Sequence, residues 1–241
     1  MEMHIFPTAE ETVSALAGFF ISTCRQAIKK NKKCTVALSG GNSPARLYKL
    51  LASEAFRHQL DWSKLNFFLG DERYVPLHDP ASNAGMIRKT LVEPLQLSND
   101  QFCTINTEFS PGEAAHDYAL RIMHHFESDP VHFDLILLGL GDNAHTASLF
   151  PHTPVLHESL PDVKAVYLEE EHVYRITLNA PMINNALRIA FLVFGKEKAL
   201  AVSRVLEGKE DTDAYPAQLI RPLHGDVHWF LDQEAADELK V

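Results

Sequence analysis

The chain reads as an α/β protein on a mostly parallel sheet with helices covering both faces. Two observations predict this. "CTVALSGG", "FDLILLGLG" and "LRIAFLVFG" carry short, nearly continuous apolar runs, the pattern of strands buried on both sides. Stretches of helical periodicity alternate with them, as crossovers between parallel strands require. A third observation locates the chemistry. Each of those runs closes on glycine, and ligands of open parallel sheets bind at the carboxyl ends of the strands.

Taken in order, residues 8–30 set Val13, Leu16, Ala17, Phe20, Ile21, Cys24, Ala27 and Ile28 at helical spacing. Thr8 is the expected cap, and the basic "KKNKK" suits the helix dipole. After the strand in "CTVALSGG", "SPARLYKLLASEAF" predicts a helix capped by Ser43 with Pro44 at its first position. "KLNFFLGDER" is a strand ending in Gly-Asp, followed by a loop and a helix near 82–92. An amphipathic helix is predicted over 112–127, and the buried strand of "FDLILLGLG" follows it. "KAVYLEE" and "YRITLNA" read as short β segments, and "LRIAFLVFG" as a buried strand leading into the helix "KEKALAVSRVLEG". "DVHWFLDQEAADEL" reads as strand, then helix. There is no repeat, low-complexity tract or long linker, so residues 1–241 are expected to form one domain.

Composition narrows the function classes. Hydrophobic residues make up 46% and charged residues 22%, ordinary for a globular chain and unlike a disordered one. No apolar run approaches the roughly 18 residues that span a bilayer. "MEMHIFPTAEE" lacks the basic and apolar regions of a signal peptide. Three dispersed cysteines, Cys24, Cys34 and Cys103, without a CxxC pair suit a reducing compartment, so a cytoplasmic location is expected. With 22 basic against 32 acidic residues the net charge is −10, which argues against a nucleic-acid partner.

Three strand-end loops carry unusual content. "SGGNSP" (39–44) runs glycine into a helix start; Gly40 and Gly41 either expose amides to an anion or make a tight turn. "LGDERYVP" (69–76) sets three charges directly after a buried strand. Arg73 there suits an anionic group, with Asp71 or Glu72 orienting it; an internal ion pair fits equally. "GLGDNAHTASLFP" (139–151) puts His145 beside Asn143, Thr146 and Ser148, a setting for a general base or for an incidental histidine among the chain's 13. Arg175 in "YRITLN" and Lys198 in "FGKEKA" are further cationic candidates. There is no GxSxG elbow, P-loop, GxGxxG turn, HExxH or paired Cys/His spacing. The residues point to a small phosphorylated ligand.

Together and in this order, "LSGGNSPARLYKLL", "FFLGDERYVP" with "SNAGMIRKTL", "DLILLGLGDNAHTASLFP", "YRITLNAPMINNA" and "FLVFGKEKAL" resemble the 6-phosphogluconolactonase family. The resemblance implies a Rossmann-like three-layer α/β/α sandwich of the sugar-phosphate isomerase and coenzyme A transferase type. It also implies hydrolysis of 6-phospho-D-glucono-1,5-lactone, with no cofactor or catalytic metal, and a monomer is expected. His145 would activate water, with Asn143 holding its ring. Gly40, Gly41, Asp71, Arg73, Arg175 and Lys198 would bind substrate. The family pattern Asp-Gly-His stands here as Asn143-Ala144-His145, so the orienting carboxylate is an amide and a left-handed backbone at Ala144 is not expected. His152 stands where a glycine is common.

Two other functions compete. A glucosamine-6-phosphate deaminase needs a carboxylate where Phe150 stands. A non-catalytic sugar-phosphate binder would need the anion-binding loops but no basic His145.

Overall fold

The computed structural model describes residues 1–127, 131–169 and 171–240. Glu170, the last residue of the "KAVYLEE" segment, lies outside them. In chain order the elements are β1 (Glu2–Phe6), α1 (Ala9–Asn31), β2 (Cys34–Leu38), α2 (Asn42–Leu51), β3 (Leu65–Leu69), β4 (Asp71–Arg73) and α3 (Asn83–Ile87). Then follow α4 (Pro111–Phe126), β5 (Leu135–Leu138), β6 (Val163–Leu168), β7 (Val173–Leu178), α5 (Ala180–Asn184), β8 (Arg188–Val193), α6 (Ala199–Leu206) and β9 (Asp226–Asp232). No helix among the described residues is long and apolar enough to cross a membrane.

The main sheet has six strands in the order β1-β9-β8-β5-β2-β3, every pairing parallel. From β2 the chain moves outward to β3, then returns past β2 to β5. The strand order therefore reverses between β2 and β5, where a crevice opens at the carboxyl ends.

Helices cover both faces. Thr35 and Phe68 point towards α4, through Thr35 Oγ1 at 2.9 Å from His125 Nε2 and an edge contact of Phe68 with His125. On the other face His228 and Phe230 of β9 pack against Phe19 of α1. Buried residues of both layers and the sheet form one contiguous core. The Thr8 side chain accepts the Glu11 amide at 3.2 Å to start α1, and Lys32, at φ 65°, ends it.

Four features differ from the sequence expectation. The α2 cap is Gly41 rather than Ser43, because the chain turns at φ 99°, a conformation glycine supplies without strain. The helix near 82–92 is α3 followed by one wider turn, Arg88–Val92. The segment after β9 makes only turns, with Asp232 accepting the Ala235 amide at 2.8 Å. "DER" is a strand. It pairs antiparallel with β7, which pairs with β6, giving a second, three-stranded sheet that periodicity did not reveal. Gly70 joins the two sheets: its amide donates to Leu38 and its carbonyl accepts from Leu178, both at 2.9 Å. The edge strand β1 was not anticipated either.

Candidate active site

A cleft of about 410 Å³ opens at the reversal between β2 and β5. Its lining includes the sequence-chosen residues except Glu72 and Asn143, the latter contacting the cleft through His145.

The His145 ring is placed by three contacts. Asn143 Oδ1 lies 2.5 Å from Nδ1. An amide oxygen only accepts, so Nδ1 carries the proton and Nε2 keeps a free lone pair. Phe150 stacks on the ring, centroids 4.2 Å apart. Behind it lies Gly141, where a Cβ would come within 2.1 Å of Nδ1. That glycine serves the imidazole, not only the strand end. Burial first, then the positive charge of Lys198, holds the His145 pKa down at about 4. The ring is therefore neutral at physiological pH.

The loop bearing His145 is pinned at several points. Thr146 Oγ1 donates to Gly139 O at 2.9 Å, and the Gly141 amide to His145 O at 2.8 Å. Ser148 ties the loop to the small sheet: its hydroxyl donates to Asp71 Oδ2 at 2.7 Å, and its amide to Thr177 Oγ1 at 3.1 Å. Ala144 sits at φ 61°, contrary to the expectation for a non-glycine residue. Its amide donates to Gly141 O at 2.9 Å and its carbonyl accepts the Ala217 amide at 3.0 Å, so neighbours on both sides impose the left-handed turn. His152 is likewise at φ 61°.

Cations line the wall made by the small sheet. Arg73 and Arg175 are register partners in the β4–β7 ladder, with Asp71 and Thr177 on the same face. Like charges directly opposite each other are unfavourable unless an anion joins them. Their present partners lie at the edge: Arg73 donates to Ala81 O at 2.6 Å and Arg175 to Glu171 at 2.7 Å. Burial pushes the Asp71 carboxyl up from its ordinary value, while the Ser148 hydroxyl and the two guanidiniums pull it back. Lys198, next to α6, pairs with Asp142. Glu72 faces away and has a different task. Its carboxylate accepts the Asn83 and Ala84 amides at 2.7 and 2.8 Å, capping α3.

On the β2 side, α2 starts at Gly41 with no side-chain cap and no acidic residue in its first turn, so its amides face the cleft unneutralised. Gly40 makes room for Asn83, whose side chain would lie 1.8 Å from a Cβ there. Asn83 Nδ2 donates to Asp71 O at 3.0 Å, while Asn83 Oδ1 and Ser39 Oγ are buried without partners. Orphaned polar atoms lining a cleft suit the hydroxyls of a polar ligand. Sequence reasoning named Ser148 only as a neighbour of His145 and gave no role to Ser39, Asn83 or Gly141, although all lie within the quoted stretches; their contacts assign them.

Residues 7–229 match the family model described as glucosamine-6-phosphate isomerases/6-phosphogluconolactonase. A 6-phosphogluconolactonase of Synechocystis is 38% identical over 219 residues, covering 89% of this chain and 88% of the relative. One from Nostoc is 34% identical over 243 residues, covering 99% and 98%. Among solved structures, a 6-phosphogluconolactonase from Trypanosoma cruzi superposes with a TM-score of 0.89 at 25% identity, covering 100% of this chain and 97% of the other.

Proposed function

This chain belongs to the family of glucosamine-6-phosphate isomerases and 6-phosphogluconolactonases, and we infer that it hydrolyses 6-phospho-D-glucono-1,5-lactone to 6-phosphogluconate, a step of the oxidative pentose phosphate pathway. One observation carries this choice within the family. The neutral His145, its Nδ1 held by Asn143, is stacked on Phe150, an apolar ring at the position where a deaminase would need an acid.

The proposed mechanism follows from that geometry. Nε2 of His145 takes a proton from water as the water oxygen bonds to the lactone C1. The carbonyl electrons move onto oxygen, and the oxyanion is met by the cleft's donors: the Gly40 and Gly41 amides and the cationic side chains. Collapse of the tetrahedral intermediate breaks the bond from C1 to the ring oxygen, and the imidazolium returns its proton to that oxygen. Asn143 fixes the ring's tautomer without supplying a full charge. Arg73, Arg175 and Lys198 draw the phosphate and hold the sugar in register, and Asp71 positions both the arginines and Ser148.

Lactone generated in situ provides the test, its loss followed against the spontaneous rate. Turnover above background supports the reading. Ammonia release from glucosamine-6-phosphate, without lactone turnover, would replace it with the deaminase.

A further inference from the structure

At the amino ends of β1 and β9, Glu2, His4 and His228 come together on the face covered by α1. The register explains why. Glu2 is the ladder partner of His228 and His4 that of Phe230, and alternate residues of a strand share a face. His4 Nε2 lies 3.2 Å from His228 Nδ1, and Glu2 Oε2 lies 3.8 Å from His4 Nε2 and 3.5 Å from His228 Nδ1. A point about 2.0 Å from all three atoms exists, the bond length of zinc to imidazole nitrogen and carboxylate oxygen. Both rings are held in place. His4 stacks on Phe230 with centroids 4.6 Å apart, and His228, buried, packs against Phe19 at 4.5 Å.

We propose that Glu2, His4 and His228 bind a divalent zinc-type ion that staples the edge strand β1 to β9. The His4 and His228 ring nitrogens face each other within 3.2 Å, and the Glu2 carboxylate oxygen adds a third ligand atom around the same point. A cation with three open valences satisfies all of them at once. Two nitrogens and one carboxylate favour zinc over magnesium or calcium, which prefer all-oxygen shells. Glu2 is exposed, which leaves the fourth position to water. The site lies at the end of the sheet opposite the cleft, so the ion takes no part in the hydrolysis proposed above. Sequence spacing gives no sign of it, since His4 and His228 are 224 residues apart.

The test uses tag-free protein titrated with zinc chloride by calorimetry, alongside thermal melts and hydrogen exchange. Wild type and His145→Ala are expected to bind one equivalent. Saturation should raise the Tm by about 5 °C or more at a hundredfold excess over Kd and slow exchange of the β1 amides. His4→Ala and Glu2→Gln, the latter a conservative change on an exposed side chain, should weaken binding by more than the roughly 100-fold typical of losing an outer-sphere partner, with kcat/KM unchanged. Magnesium should have no effect. The proposal is overturned by absence of saturable zinc binding, by binding that survives both substitutions, or by binding that disappears in His145→Ala.

Discussion

His145 has the low proton affinity of a buried ring facing cations, and that property can be tested directly. A group whose pKa is lowered to about 4 stays deprotonated through the physiological range, so base function is not lost as pH falls from 7 towards 5. Part of the lowering comes from Lys198, Arg175 and Arg73. A bound phosphate neutralises those charges, so the ring should become more basic in the complex. Proton NMR should place the free-enzyme titration near 4, and 6-phosphogluconate should move it upward. A free ring titrating at 6.5 or above would contradict the described environment. His145→Ala should lower kcat by about 10²-fold or more. Asn143→Asp should retain activity and gain at most about tenfold, because a carboxylate supports the imidazolium that an amide only orients. If wild type proves inert and only Asn143→Asp turns over, the natural chain is a binder. At neighbouring positions, Ala144 and His152 adopt a left-handed backbone that costs a non-glycine residue about 1 kcal/mol or more. His152 is exposed, so His152→Gly loses little packing and should raise the Tm by about 2 °C. A drop in Tm would show that its side chain is worth more than the strain.

In the proposed function, the small sheet is the element that supplies the anion-binding cations. Its β4–β7 ladder sets Arg73 directly opposite Arg175, an arrangement that costs stability until a phosphate sits between them. Arg175→Met should therefore leave the Tm unchanged or higher while lowering kcat/KM about 10²-fold or more. A lower Tm with full activity would make the pair structural. The same logic sets specificity. Unphosphorylated glucono-1,5-lactone leaves these half-buried cations without a phosphate, and its kcat/KM should be poorer on the order of 10⁴-fold. Comparable values for the two lactones would refute phosphate recognition. This element was also the least legible in sequence. The "DER" run reads as charged loop because a three-residue strand has no period to detect, and its hydrogen bonds go to β7, about a hundred residues away.

At the scale of the molecule, the layers were legible because burial on both faces writes continuous apolar runs, as in "LILL" and "IAFLV". The strand order was not, since pairing between apolar strands leaves no mark on either one. Yet that order decides where chemistry stands: the β2–β5 reversal brings "SGG" and "DNAH" to one crevice, while β1 and β9 carry their histidines to the opposite end of the sheet. The Gly-Gly and Asp-Glu-Arg loops and His145 could be picked out because charge and glycine are unusual after buried strands. Asn83 and the bond from Ser148 to Asp71 could not, since only the folded contacts bring them to the site. This separation of ends leads to the last prediction. Among the described residues the cleft is lined by one imidazole, His145, with its Nδ1 engaged by Asn143, and the cluster with metal-ligand spacing is Glu2, His4 and His228. In the proposed mechanism, carbonyl polarisation falls to amides and cationic side chains. Prolonged EDTA treatment should leave kcat/KM for the phosphorylated lactone unchanged, even where it lowers the Tm by stripping zinc from the far end. Activity that EDTA abolishes and zinc or magnesium restores, in the Glu2→Gln variant as in wild type, would place a metal in the cleft and overturn the mechanism.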